Sequence, residues 1–371
     1  MPELPRFLFI TCQVGAEAGV KQELAHRWPT ARLAYSRPGF LTFKLPEELS
    51  SAADVDLESV FARAHGFSLG KVQGHDLDEL ARDAWQLFAR SAGPDCPAVR
   101  RIHVWPRDAA APGEHGFEPG VTPAALEARA ALLRHCPRSD RLAKDAAAKV
   151  AAQPGEMVFD CILVEPNEWW IGYHQAGRVA SRWPGGMLEL ELPPHAVSRA
   201  WLKMEEALRW SELPIAAAAR CAEIGSAPGG ASQALLDRGI LVTGIDPAEM
   251  APEVLQHPNF IHLRRRANQV RRRDFRKIRW LTADMNVAPR YTLDVVEEIV
   301  THPQINIRGM LLTLKLFQWE LAQEVPQYVA RIREWGYNFV NTRQLQYNRQ
   351  EICVAALQKP FRRKPISPKI S

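Results

Sequence analysis

The segment Arg220–Asp246, RCAEIGSAPGGASQALLDRGILVTGID, constrains the fold more tightly than any other part of this chain. A short apolar run, Cys221 to Ile224, enters a loop holding Gly225, Pro228, Gly229 and Gly230. A helix-compatible stretch follows, and a second apolar run, Ile240 to Ile245, ends at Asp246. Strand, tight loop, helix, strand and acid in that order suit a nucleotide-binding α/β unit. Glycines let backbone N–H groups come close to a ligand at the helix start, and an acid about 20 residues on can hold the two hydroxyls of a ribose. The loop has neither the GxGxxG spacing of dinucleotide binders nor the GK[ST] ending of a phosphate loop. Gly225-Ser226-Ala227-Pro228-Gly229-Gly230 instead suits a cofactor with an adenosine ribose and no pyrophosphate, which points to S-adenosylmethionine. Taken alone, the loop also reads as a glycine-rich turn in an ordinary α/β domain.

From Ser198 onward the pattern is regular. A helix to about Glu212 precedes apolar runs near 221, 241, 260, 279 and 310, separated by helical or irregular segments. The last two runs, Gly336 to Leu345 and Ile352 to Leu357, are joined by the polar NRQE turn without a helix, so they read as an antiparallel pair. The expected fold is α/β: a Rossmann-like, mostly parallel seven-stranded sheet with a C-terminal antiparallel hairpin and its ligand at the carboxyl ends of the strands. Four polar residues fall where that fold would gather them. Lys203 lies in the helix before the first strand, Asp284 and Lys315 end the fourth and fifth of these apolar runs, and Glu351 opens the final strand. Each also has an innocuous reading. Lys203 can pair with Glu206, Asp284 can cap a loop, Lys315 can extend its charged head into water, and Glu351 can be a solvated turn residue.

The N-terminal half gives an α+β reading. Phe7 to Val14 is a strand, Glu17 to Arg27 a helix, and Tyr35 to Leu45 a hairpin turned at Pro38-Gly39. Asp76 to Ser91 and Ala124 to His135 read as helices, the second started by Thr122-Pro123. Arg101 to Trp105 is a brief strand, and a helix over Asp140 to Ala151 leads to strands Met157 to Glu165 and Trp169 to His174. Between Gln175 and Ala196 glycine and proline accumulate, placing a domain boundary near 190. The expected organisation is therefore a binding platform over 1–190, with about 1–50 a ferredoxin-like piece, a second domain over 191–358, and a basic tail over 359–371.

The 371 residues carry a net charge of +5, and the basic residues are clustered. RRRANQVRRRDFRKIR, from Arg264 to Arg279, holds only Asp274 in opposition, and no acid follows Lys359. Clusters of this kind suit a phosphate backbone, where each neutralised phosphate releases a counterion, and they also suit a merely solvated face. The six cysteines are scattered and form no CxxC, no leader or membrane-length apolar run is evident, and no HExxH is present. A reduced, cytoplasmic setting follows, with no membrane and no metal expected and a monomer favoured.

The segments SRAWLKMEEA, AEIGSAPGGAS, TADM, LLTLKLF and NRQEICV resemble motifs of the FtsJ-like ribose 2′-O-methyltransferases. The likeness covers residues 198–358. Over 1–190 it is one of layout, with FITCQVGAEAGVKQEL similar to the opening of THUMP-containing proteins. The resemblance implies a THUMP-like RNA-binding region followed by a methyltransferase domain acting on RNA, with 23S rRNA as the substrate. It makes Lys203, Asp284, Lys315 and Glu351 a catalytic tetrad, and Gly225, Ser226, Ala227, Pro228, Gly229 and Gly230 the S-adenosylmethionine loop. Asp246 becomes the ribose ligand, Asp284 a second cofactor contact, and Arg264, Arg265, Arg266, Arg271, Arg272 and Arg273 part of the RNA surface.

In such an enzyme the methyl group is already electrophilic, so the protein has to align a 2′-oxygen and remove its proton. Lys315 is the base implied. A free lysine has a pKa of about 10.4, and a nearby Lys203 together with partial burial is expected to lower it. This sequence departs from the family at three places: Ala231 follows the glycine pair where an aromatic is common, Arg265 or Arg266 replaces an acid that meets the adenine amine, and Glu223 stands for Asp. The altered adenine site leaves a second reading open, a catalytically silent RNA-binding protein on a methyltransferase scaffold. Asp284-Met285-Asn286-Val287 is not the [DN]PP[YFW] of base N-methyltransferases, and no Pro-Cys of a cytosine C5 enzyme occurs in this half.

Overall fold

A computed structural model describes residues 5–47, 49, 55, 57–91 and 98–358. The chain forms two units, Met1–Leu190 with Gln344–Arg349, and Glu191–Arg343 with Gln350–Ser371. The basic tail expected over 359–371, and Cys96, lie outside the described residues. The five described cysteines form no disulfide. Among the described residues no helix is long and apolar enough to cross a membrane.

The first unit is built from β1 (Phe7–Cys12), α1 (Glu17–Arg27), β2 (Arg32–Arg37), β3 (Phe40–Lys44), β4 (Ala62–Gln73), α2 (Leu77–Ser91), β5 (Val99–Pro106), α3 (Pro123–Arg134), β6 (Met157–Glu165) and β7 (Glu168–Gln175). All seven strands share one sheet, in the order β2-β3-β1-β4-β7-β6-β5. The stretch expected as a separate ferredoxin-like piece at about 1–50 is thus the edge of a larger sheet, joined to it where β1 pairs antiparallel with β4. One sheet face buries Ile102, Val104, Phe159, Cys161, Trp169 and Ile171 against α2 and α3. The apolar stripe of α2, Leu80, Ala81, Ala84, Trp85 and Phe88, has the 3.6-residue period that such a face requires. Thr122 caps α3 by accepting from Ala125 N at 3.3 Å, with Pro123 in the first turn.

One strand that the sequence reading did not assign and one expected helix that fails both have physical reasons. β4 gives no strand signal because Gly66 and Gly70 interrupt its alternation. Gly66 and Gly172, on neighbouring strands, both have to lack a Cβ, since the Phe9 ring fills the space at 2.8 Å from each built position. The helix expected over Asp140 to Ala151 is a single 3-10 turn, Ser139–Arg141, followed by turns. Arg129 and Arg101 donate to backbone carbonyls of Ala146, Ala147 and Lys149. Those carbonyls are held by guanidinium groups, so tertiary contacts override the alanine-rich helix propensity.

The second unit comprises α4 (Ala200–Ser211), β8 (Arg220–Ile224), α5 (Gly230–Asp237), β9 (Leu241–Ile245), α6 (Pro252–Leu255), β10 (Phe260–Leu263), β11 (Trp280–Asp284), α7 (Pro289–Val300), β12 (Gly309–Lys315), α8 (Val325–Glu334), β13 (Phe339–Arg343) and β14 (Glu351–Leu357). Its sheet runs β10-β9-β8-β11-β12-β14-β13. β8 to β12 pair in parallel, whereas β14 is antiparallel to both β12 and β13. The strand order reverses beside β8, which opens a crevice at the carboxyl edge. The turn between β13 and β14, Gln344–Arg349, groups with the first unit. There Gln344 N donates to Val60 O at 2.8 Å and Gln346 Nε2 to Pro119 O at 3.0 Å.

Gly172→Ala would drive a methyl into the Phe67 carbonyl and the Phe9 ring. Overpacking of this kind costs about 1–3 kcal/mol. The substitution is expected to lower the first unfolding transition by several degrees in a calorimetric scan, whereas Gly177→Ala, at an exposed position with nothing within 4 Å, leaves it unchanged.

Candidate active site

The carboxyl ends of β8, β9, β11 and β12 align along one edge, because the parallel registers place Ile224 beside Ile245 and Ala283, and Asp284 beside Thr313. β14 runs the other way, so its first residue, Glu351, pairs with Lys315 at that same edge. α4 brings in Lys203. The four side chains form one chain of contacts. Lys315 Nζ bonds Asp284 Oδ1 at 2.8 Å and also bonds Glu351 Oε2, and Glu351 Oε1 takes Lys203 Nζ. Glu351 is the most enclosed, with a side chain 4 % exposed, against 16 % for Lys315 and 27 % for Lys203. Lys203 is therefore paired across the fold with Glu351.

Burial and charge compete at each group. For Glu351, burial is the largest influence and raises its pKa, but the Lys203 and Lys315 ammonium groups together outweigh it and hold the carboxylate below its ordinary range. For Lys315, burial pulls downward as the largest single influence, yet Asp284 and Glu351 combined carry its pKa above the ordinary lysine value. The sequence expectation that Lys203 and burial would lower it is thereby corrected. Glu351 stands between the two lysines, so the charge that Lys315 meets first is negative.

The glycine loop packs directly on this group. Gly225 takes φ +80°, and a Cβ there would fall on the Asp284 carbonyl. Gly229, at φ +123°, would place a Cβ 2.6 Å from Val254 Cγ2. Only glycine meets both the left-handed backbone and the close approach. Ser226 is buried with its hydroxyl on Met250 Sδ at 3.5 Å, Gly225 N donates to Ile245 O at 3.0 Å, and Ala251 N donates to Pro228 O at 2.9 Å. Asp246 follows β9 directly and accepts from Ala227 N at 3.2 Å and Ala248 N at 2.8 Å, which ties the loop to the end of that strand. Gly230 begins α5.

Of the six arginines, Arg264 pairs with Glu249 at 3.1 Å, Arg272 with Glu298 at 2.8 Å, and Arg273 lies 3.9 Å from Asp274. Arg265, Arg266 and Arg271 are exposed and make no ion pair among the described residues. The basic surface is thus smaller than the run of letters suggests.

The structure adds to two further residues, Phe317, which the sequence did not single out, and Glu223, which it marked only as standing for Asp. Phe317, two positions beyond Lys315, is 55 % exposed, an unusual setting for an aromatic at a strand end. The motif LLTLKLF contains it, but alternation alone does not say which apolar residue faces out. Glu223 is fully buried and accepts the Ser232 hydroxyl. Burial first, and then the charges of Asp284 and Asp246, push its carboxyl up to about 8 despite the hydroxyl bond.

Residues 196–371 match the family described as FtsJ-like methyltransferase. The chain is similar to the ribosomal RNA large subunit methyltransferase M of Halorhodospira halophila, 30% identical over 187 residues that cover 49% of this chain and 53% of that protein. It is 32% identical to the protein of the same name from Xylella fastidiosa over 183 residues, 47% of this chain and 51% of that one. With the Proteus mirabilis protein of that name it shares 25% identity over 362 residues, 86% of this chain and 94% of the other. The matched stretch spans about half the length of the Halorhodospira and Xylella relatives.

A carboxyl whose folded pKa lies above its unfolded one costs stability as pH rises past the unfolded value, and the cost stops growing above the folded one, here about 8. Glu223→Gln keeps an acceptor for Ser232 and removes the cost. Its unfolding temperature relative to the parent chain is expected to climb between pH 5 and pH 8 in thermal scans; a difference independent of pH would refute the burial argument.

Proposed function

We infer that the chain is an S-adenosylmethionine-dependent RNA methyltransferase that alkylates a ribose 2′-hydroxyl, with 23S rRNA as its substrate, a reading supported by the match of residues 196–371 to the FtsJ-like methyltransferase family. The observation that carries the reading is the chain of contacts Asp284–Lys315–Glu351–Lys203, set against a glycine loop at the carboxyl edge. RNA is the partner because only RNA offers a 2′-hydroxyl.

The donor chemistry fits the cofactor. Asp246, Asp284 and Glu351 stand at the edge with Lys203 and Lys315 in opposition, an acidic excess that favours a cationic ligand over its product without the sulfonium charge. The Gly225–Gly230 backbone and Asp246 would hold the ribose and amino-acid ends, and the replacement of an acid by Arg265 or Arg266 leaves the adenine to backbone groups. When bound, S-adenosylmethionine supplies an electrophilic methyl group.

The protein's own work is positioning and proton transfer. Lys315 Nζ takes the proton of the 2′-hydroxyl as the oxygen attacks, so the reacting amine has to be neutral at that moment. Asp284 and Glu351 fix that amine from two sides. Lys203 engages the other oxygen of Glu351, which weakens the hold of that carboxylate on the Lys315 proton. Phe317 offers an exposed ring on which a neighbouring base can stack. The first unit, read as THUMP-like, together with Arg265, Arg266 and Arg271, supplies RNA affinity through shape and phosphate contacts.

Lys315→Ala is expected to lower transfer of labelled methyl to unmodified 23S rRNA by about 10²- to 10⁴-fold, with calorimetric binding of S-adenosylmethionine nearly unchanged. Normal turnover at saturation with weakened cofactor binding would contradict the role. Because the Lys315 pKa is raised in the free protein, the neutral fraction grows with pH: with cofactor and RNA both well below saturation, the rate is expected to rise about tenfold per pH unit from 6 to 9 without a plateau. A plateau near neutrality would assign the proton to another group. Phe317→Ala is expected to raise the KM for RNA by about 5- to 100-fold at little change in kcat, the span that one base stack supports.

A further inference from the structure

The first unit carries a buried polar cluster on the sheet face opposite α2 and α3. His103 on β5 lies directly across from Asp160 on β6, and His174 on β7 lies across from Val158, two residues from Asp160. Their neighbours Ile102, Val104, Phe159, Cys161 and Tyr173 belong to the helix-side core, so strand alternation sends His103, Asp160 and His174 to the other face together. Beside them that face carries the buried, ion-paired Arg101 and apolar residues, with Trp105, Ile162, Val164 and Met187 in one cluster and Ala152, Val158 and Ala176 in another. His103 and Asp160 are completely buried, and the His174 side chain is 13 % exposed. One ligand atom from each residue lies within 4.8 Å of the other two.

The hydrogen bonds fix which atoms are available. His103 Nε2 lies 2.9 Å from Val150 O, and His174 Nε2 lies 2.7 Å from Ser181 O. A carbonyl only accepts, so both Nε2 atoms carry the proton, and in a neutral ring Nδ1 is left with a lone pair. His103 Nδ1 has no hydrogen-bond partner, and neither has Asp160 Oδ1. His174 Nδ1 meets Asp160 Oδ2 at 2.6 Å, two acceptors that need something positive between them. A proton on His174 would satisfy that contact alone. It would leave the other two atoms buried and unpaired, at a cost of about 1–3 kcal/mol each. A divalent cation satisfies all three residues at once, provided the 2.6 Å contact between His174 and Asp160 opens to the spacing of two ligands.

We propose that His103 Nδ1, Asp160 and His174 Nδ1 form a structural site for a divalent transition-metal ion, zinc first among them, that fastens β5, β6 and β7 to the segments around Val150 and Ser181. Two imidazoles and a carboxylate are a zinc-type ligand set. The carbonyls of Val150 and Ser181 do what outer partners of metal-bound histidines do, fixing tautomer and ring orientation. Nearby cations do not cancel the site. Arg101 is neutralised by Asp145 at 2.6 Å and Glu156 at 2.9 Å, and Arg129 is engaged by the carbonyls of Ile102, Ala146 and Ala147.

The test uses the full chain, purified without chelator and desalted. About one zinc per chain by elemental analysis is expected. After stripping, titration with Co²⁺ should give the visible ligand-field bands of a nitrogen- and oxygen-ligated low-coordinate site, and Zn²⁺ should raise the unfolding temperature of the stripped protein by several degrees. Asp160→Asn and His103→Gln, near in shape to the parent residues, are expected to weaken Co²⁺ binding at least tenfold, while His115→Ala, at an exposed histidine, has no effect. A wild-type chain that is folded by circular dichroism, yet carries no metal, gains no bands and shows no thermal shift, would overturn the proposal in favour of an imidazolium–carboxylate pair. Undiminished binding in both folded variants would overturn it as well. If neither variant folds, the wild-type bands and thermal shift decide alone.

Discussion

Glu351 is the residue through which the second unit becomes a site. Its carboxylate is almost wholly withdrawn from water and is tolerable there only because an ammonium group meets each oxygen. That requirement fixes Lys203 on α4 and Lys315 on β12 at once, although the two lysines come from distant parts of the chain. The arrangement depends on the reversal of β14. Run parallel to β12, the strand would carry Glu351 to the opposite edge of the sheet, and Lys315 would keep Asp284 while Lys203 lost its partner.

The same compactness explains why electrostatics could not be read from letters. Strand ends placed Asp284, Lys315 and Glu351 at one edge, because apolar runs that stop at a polar residue mark where strands emerge. Nothing in the sequence says that Glu351 would intervene between the lysines, and the direction of the Lys315 shift turned on that single detail. Phe317 raised a related difficulty. The run LLTLKLF shows a strand leaving the core but not which of its last residues turns outward.

Legibility in the first unit was lower for a different reason. Its helices announce themselves by period and cap, as in Thr122-Pro123, and its hairpins by turn residues. β4 is silent because it is shaped around the Phe9 ring, and the 140–151 segment is misleading because its carbonyls serve Arg129 and Arg101. His103, Asp160 and His174 have no sequence spacing to betray them. Register across three strands is what makes them neighbours, and register is a property of the assembled sheet.

The turn Gln344–Arg349 is grouped with the N-terminal unit although the strands on either side of it are not. During synthesis, the first half of the chain therefore leaves the ribosome without the residues that complete it. Those residues emerge only after nearly all of the second half has been made, so vectorial translation and the order of domain completion run against each other.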